Sequence, residues 1–129
     1  MNTLSTHITL ILDRSGSMSD IQDDIIGGVN SFFAKQAALE RTITATLVQF
    51  DSQNPFEILA ENAPVADIAP LTRDSYSPRA STPLFDAIGT GIHGLEKHLD
   101  SLNEANRPGG IVFVVVTDGR ENASHAFSK

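Results

Sequence analysis

The stretch Ile111-Val-Phe-Val-Val-Val116 is apolar at every position. A strand with one wet face alternates polar and apolar side chains, so an unbroken apolar run predicts a strand covered on both faces, as in parallel sheets. A second buried strand, His7-Ile-Thr-Leu-Ile-Leu12, is predicted near the start of the chain. Between the two the period changes. Ile21, Ile25, Val29 and Phe32 recur at helical spacing, with Ser19 or Asp20 as the expected N-cap. Leu84, Ile88, Ile92, Leu95, Leu99 and Leu102 follow in steps of three and four, which predicts an amphipathic helix.

Thr42-Ile-Thr-Ala-Thr-Leu-Val-Gln-Phe50 alternates threonine with apolar residues and reads as a strand. Residues 56–60 form a shorter one after the turn pair Asn54-Pro55, so the two make a hairpin-like unit. Residues 61–83, rich in Pro, Asp, Ser and Arg, read as irregular. The order strand, helix, strand, strand, loop, helix, strand predicts an α/β sandwich with a mainly parallel sheet. Gly27-Gly28 should cost the first helix roughly 1 kcal/mol per glycine. Close packing against the sheet, or a break, is expected there.

The 129 residues suit a single domain, 1–129. The net charge of -7, without a Lys/Arg cluster, argues against a nucleic-acid partner. No cysteine is present, which excludes disulfides and thiolate metal sites. No apolar stretch approaches the ~18 residues of a membrane span. Residues 1–12 lack the basic and long apolar regions of a signal peptide, so the expected location is cytoplasmic.

Two of these strands run into similar polar segments, Asp13-Arg-Ser-Gly-Ser17 and Thr117-Asp118-Gly-Arg-Glu121. Ligands of open parallel sheets sit outside the carboxyl ends of the strands. If the two strands are adjacent, Asp13 and Asp118 emerge on one rim, and such a pair needs protons or a cation. The flanking hydroxyls favour a hard, oxygen-seeking ion such as Mg²⁺. Asp13, Ser15 and Ser17 converge only if the loop bends, and Gly16 is expected to supply that freedom. The alternative is a turn with N-caps, together with the common turn pair Asp118-Gly119. The joint position at two strand ends favours a site.

Asp13-x-Ser15-x-Ser17 after a buried strand, Ser81-Thr82-Pro83-Leu84-Phe-Asp86-Ala87 opening a helix, and Thr117-Asp118-Gly119 after a second buried strand resemble the von Willebrand factor A (VWA) domain and its metal-ion-dependent adhesion site. The resemblance implies a Rossmann-like three-layer sandwich with helices on both faces. Its central sheet would be mainly parallel, with one short antiparallel edge strand and strand order 3-2-1-4-5-6. This chain resembles the N-terminal two thirds of that fold, the last strands and helices being absent. The resemblance further implies Ser15, Ser17 and Thr82 as hydroxyl ligands, and Asp13 and Asp118 as carboxylates holding the metal directly or through water. The cofactor is then Mg²⁺, with Mn²⁺ or Ca²⁺ as substitutes, and a partner protein's Glu or Asp completes the octahedron.

The expected function is therefore a metal-dependent protein-binding module, not an enzyme, with neither nucleic acid nor membrane as partner. A Mg²⁺-dependent phosphoryl-transfer enzyme is the alternative, but Arg14 and Ser15 stand where a second carboxylate would be needed. A structural fragment with an incomplete site is the third reading. Many VWA relatives have Gly-Gly or Gly-Ser where this chain has Ala80-Ser81, so a positive φ there would strain Ala80. An unpaired edge along residues 111–117 would invite self-association. Gly89-Thr-Gly91-Ile-His-Gly94 matches a dinucleotide-binding spacing but lies inside the helical stripe, so it is read as helix. The four histidines lack metal-binding spacing and are expected at the surface or partly packed.

Overall fold

Among the described residues, strand β1 (Asn2–Asp13) lies inside a four-stranded sheet of order β3 (Glu57–Pro64), β2 (Thr42–Phe50), β1, β4 (Pro108–Val116). The computed structural model describes residues 2–39, 41–54, 56–81 and 83–117, leaving aside the side chains of residues 2–4. β1 runs parallel to β2 on one side and to β4 on the other. Leu10 stands opposite Leu47 in the first pairing and opposite Val114 in the second. β3 pairs antiparallel with β2, as the hairpin-like unit predicts. The fold is α/β with a mostly parallel sheet.

Side chains alternate along β1, and both sets are buried. Ile8, Leu10 and Leu12 pack with Ile43, Ala45 and Leu47 of β2 and with Val29 and Phe33 of α1 (Gln22–Ala37). Ile11 belongs to a second cluster, with Val48, Phe50 and the α2 (Leu84–Ser101) residues Leu84 and Ala87. Burial on both sides takes in the polar residues of β1 as well, His7 and Thr9 among them. The innermost residues of α2 are Leu84, Ala87 and Gly91, whereas Ile92 of the predicted stripe stays exposed. At Gly91 a Cβ would stand 2.9 Å from Ile11 Cδ1 and 3.1 Å from Phe113 Cζ. The glycine repeat in α2 therefore includes a helix-to-sheet packing contact.

Several local expectations give way. A 3-10 turn (Gly16–Ile21) precedes α1, so Ser19 and Asp20 already have turn geometry and neither can act as cap. Ile21 takes that position with no side-chain bond. Helix α1 runs unbroken through Gly27 and Gly28, and a Cβ at either would meet nothing within 4 Å. Neither close packing nor a break accompanies them. β3 extends to Pro64, beyond the predicted residue 60. The extension passes Asn62, whose φ is 50°, where Thr46 Oγ1 donates to Asn62 Oδ1 (3.1 Å) and accepts from the Asn62 N–H (3.0 Å). His7, expected at the surface or partly packed, is fully buried with Nδ1 2.8 Å from Thr44 Oγ1, its ring centroid 5.3 Å from that of His98.

Among the described residues β4 pairs with β1 alone, and Ile111 and Val112 are 49% and 41% exposed. Among those residues no helix is long and apolar enough to cross a membrane.

Candidate metal centre

Asp13 ends β1 and is fully buried. Its Oδ1 accepts the Ser15 N–H at 2.8 Å and the Ser15 hydroxyl at 2.6 Å. Its Oδ2 accepts the Thr117 hydroxyl at 2.8 Å, and its backbone oxygen accepts the Tyr76 hydroxyl at 2.6 Å. The Thr117 contact follows from strand register. Leu12 pairs with Val116, so the next residue of each strand emerges beside the other.

Ser15, with φ -67° and ψ 162°, occupies the cap position of the 3-10 turn, yet its side chain makes no capping bond. Its proton goes to Asp13 instead. Of the turn-and-cap reading, the turn is present, since Asp13 Oδ1 accepts the N–H two residues on, but the cap bond from the Ser15 side chain is not made. With that proton engaged, the lone pairs of Ser15 Oγ are available elsewhere, and Ser17 Oγ lies 3.3 Å away. Neighbouring oxygens in an octahedral shell are about 3 Å apart around Mg²⁺ and about 3.4 Å apart around Ca²⁺. The hydroxyl pair therefore fits one edge of such a shell. Among the described residues no group of three His, Cys, Asp or Glu side chains could hold a metal ion. The donors assembled here are hydroxyls beside one carboxylate. Of the five expected ligands, Asp13, Ser15 and Ser17 are brought together, while Thr82 and Asp118 lie outside the described residues.

Gly16 does not play the expected part. Its φ is outside the left-handed region, and a Cβ would meet the Ala80 oxygen at an ordinary 3.4 Å. Its N–H donates to that same oxygen at 3.0 Å, and the positive φ sits across the bond, at Ala80, with a value of 61°. The strain anticipated at Ala80 is present.

Sequence reasoning missed the charged layer beside the turn. Arg14, between Asp13 and Ser15, is only 6% exposed. Its Nε donates to Asp51 Oδ2 at 2.9 Å and its Nη1 to Glu57 Oε1 at 3.0 Å. Arg79 Nε donates to the same Asp51 Oδ2 at 2.7 Å. The other oxygen of Asp51 accepts the N–H groups of Gln53 (2.9 Å) and Asn54 (2.7 Å). Burial pushes the Asp51 carboxyl up, but the Asn54 N–H and the Arg79 and Arg14 guanidiniums outweigh it, leaving its pKa below the ordinary value. The Gln49 side-chain amide, which also donates to Ser75 O at 2.9 Å, holds Glu57 low as well, with help from Arg14. Arg14 lies 37 residues from Asp51, and Arg79 lies 28 from it, so no local pattern marks the cluster. The single tyrosine, Tyr76, was missed for the same reason. It is fully buried, and its backbone oxygen accepts from Gln22 Nε2 at 2.7 Å.

A cavity of about 580 Å³ is lined by His7, Thr9, Thr46 and His98 among others, and none of Asp13, Ser15 and Ser17 borders it. No protein-family model matches the chain, and no curated protein matches it in sequence.

Proposed function

We propose that this chain is a VWA-type module, built as a three-layer Rossmann-like sandwich, that binds a partner protein by presenting Mg²⁺ to a Glu or Asp carboxylate of that partner. The observation that carries the reading is the Asp13 carboxylate. It receives the hydroxyls of Ser15 and Thr117 from the ends of two adjacent parallel strands, with Ser17 Oγ beside Ser15 Oγ. The order β3-β2-β1-β4 supports it, since it agrees with the first four strands that the resemblance implies. The division of α1 and α2 between two core clusters supports the layered arrangement.

Ser15 and Ser17 would hold the cation, with Thr82 and Asp118 joining from outside the described residues. When bound, the cation supplies a Lewis-acidic anchor for an anionic group. Asp13 accepts the hydrogen bond of the Ser15 hydroxyl and so would leave the lone pairs of that oxygen for the ion. Its own negative charge acts at one hydroxyl's remove. Neutral hydroxyl ligands leave much of a dication's charge uncompensated, so a carboxylate from outside is attracted strongly. Arg14 would oppose a cation if it faced the site, but its charge is engaged by Asp51 and Glu57. The phosphoryl-transfer alternative needs a second carboxylate or a base beside Asp13. In sequence, Arg14 and Ser15 stand where such a group would follow Asp13.

Calorimetric titration of Mg²⁺ and Mn²⁺ into the chain tests the reading, beside Asp13→Ala, Asp118→Ala and Ser17→Ala. Ser17 is exposed, so its variant keeps the core intact. Saturable binding is expected, lost in both aspartate variants and weakened in Ser17→Ala. Binding of equal strength in all four proteins would sink the metal site.

A further inference from the structure

Segment 79–81 is stitched to the 13–17 turn on one side and to residues 51–54 on the other. The Arg79 N–H donates to Arg14 O at 2.7 Å, and the Gly16 N–H donates to Ala80 O at 3.0 Å. On the far side, the Ser52 N–H donates to Ser81 O at 3.0 Å and the Ser81 N–H to Ser52 Oγ at 2.9 Å. Asp51 sits between these seams. One of its oxygens takes both guanidinium Nε groups, and the other is fixed by the N–H groups of Gln53 and Asn54.

Two guanidiniums on one oxygen atom repel each other unless the carboxylate between them is ionised. Removing the charge of Asp51 therefore sets the two guanidiniums against each other, and removing Arg79 unties its segment from Asp51. The backbone of Ala80, held at φ 61°, needs that restraint, because such conformations persist only where their surroundings over-determine them. The consequence reaches the hydroxyls. Ala80 O fixes the N–H of Gly16, the residue between Ser15 and Ser17, and Arg79 precedes Thr82 by three positions.

We propose that Asp51 and Arg79, with Arg14, form a clamp that holds segment 79–81 against the 13–17 turn, making Asp51 and Arg79 positioning residues for the metal-binding hydroxyls. The inference rests on the metal-site reading above. Groups that orient metal ligands from behind typically change affinity 10–100-fold when removed.

The test uses Arg79→Ala, Arg79→Lys and Asp51→Asn. The Arg79 side chain is 45% exposed, so its removal opens no core cavity. Amide hydrogen exchange of Gly16 and of Leu10 is measured in the metal-free chain, and Mn²⁺ affinity by calorimetry. In Arg79→Ala, Gly16 should exchange at least about tenfold faster, with Leu10 unchanged, and Mn²⁺ should bind about 10–100-fold more weakly. Arg79→Lys should recover part of both losses, and Asp51→Asn, which leaves the two guanidiniums facing each other, should release Gly16 at least as far as Arg79→Ala. A general loss of stability would instead speed both amides together, and that result overturns the clamp. Unchanged Mn²⁺ affinity, with or without release of Gly16, overturns the positioning role. If the unaltered chain shows no saturable Mn²⁺ binding, the metal-site reading falls. Gly16 exchange then decides the clamp by itself: faster exchange keeps it as a backbone device, and unchanged exchange removes it.

Discussion

The hydroxyl of Thr117 donates to Oδ2 of Asp13 at 2.8 Å, closing a contact between residues 104 positions apart. Parallel pairing of β1 and β4 delivers the two side chains to one place, and the carboxylate they share is fully buried. Thr117→Val keeps the shape of the side chain and removes the donor. Asp13 Oδ2 then loses a partner without gaining water, which should cost about 1–3 kcal/mol. Urea unfolding should show a lower midpoint with an unchanged slope. Thr117→Ser, which keeps the hydroxyl, should lose far less. Equal losses in the two variants would mean that packing, not the hydrogen bond, is what Thr117 contributes.

Ala80 holds φ at 61°, a region that costs an L-residue roughly 1–2 kcal/mol. Glycine enters it freely but loses more chain entropy on folding. Ala80→Gly should therefore stabilise the fold by about 0.5–1 kcal/mol, read as a higher urea midpoint. Asn62 also has a positive φ, of 50°, yet its side chain accepts a hydrogen bond from Thr46. Asn62→Gly should gain nothing, because the relieved strain is offset by that lost bond. A destabilised Ala80→Gly would show that the Ala80 methyl makes a contact worth more than its backbone strain.

Parts of this architecture are legible in sequence and parts are not, for physical reasons. The run 111–116 announces a strand, and the stripe from Leu84 announces α2, because burial acts through periodicity that adjacent residues display. The expected cover on both faces is not met among the described residues, where Ile111 and Val112 stay exposed and the rest of the run is half-buried. The first residues of β1 carry no such mark. Ser5 and Thr6 are in a strand because Thr42 and Ile43 pair with them. Ser19 and Asp20 have the chemistry of helix caps, but the 3-10 turn begins before them and takes up their backbone. Asp13, Ser15 and Ser17 stand out through their spacing after an apolar run. Arg14, Asp51 and Arg79 do not, since they lie far apart in the chain and are enclosed only where three segments meet. The positive φ at Ala80, by contrast, was foreseeable from the small residues expected at that position.

Two kinds of helical glycine should respond oppositely to one substitution. At Gly27 and Gly28 an added methyl meets nothing within 4 Å, so alanine contributes its helix preference alone, up to about 1 kcal/mol per site. At Gly91 the methyl would lie 2.9 Å from Ile11 Cδ1, in a fully buried side chain, and 3.1 Å from Phe113 Cζ. Overpacking of that kind costs about 1–3 kcal/mol, more than the helix preference returns. Gly28→Ala should raise the thermal midpoint and Gly91→Ala should lower it. Stabilisation by Gly91→Ala would show that α2 can move away from the sheet at little cost.

His7 should make folding sensitive to mild acid. Burial, assisted by the neighbouring His98, lowers its pKa from 6.5 to about 4. The folded state thus refuses a proton that the unfolded chain accepts. The contribution is fully present above pH 6.5 and is lost as pH falls toward 4. The slope is about 1.4 kcal/mol per pH unit, for a total on the order of 3 kcal/mol. Asp51 and Glu57 have lowered pKa values, so their contribution is intact above their ordinary values of 3.8 and 4.5 and disappears only as pH falls through the folded ones. Between pH 6.5 and 4.5 these two carboxylates therefore add no slope, whereas His7 does. Unfolding free energies measured across that interval should decline with the slope of one proton, and His7→Gln, which retains a donor and an acceptor near Thr44, should flatten the decline. An equal slope in His7→Gln would assign the acid sensitivity to another group.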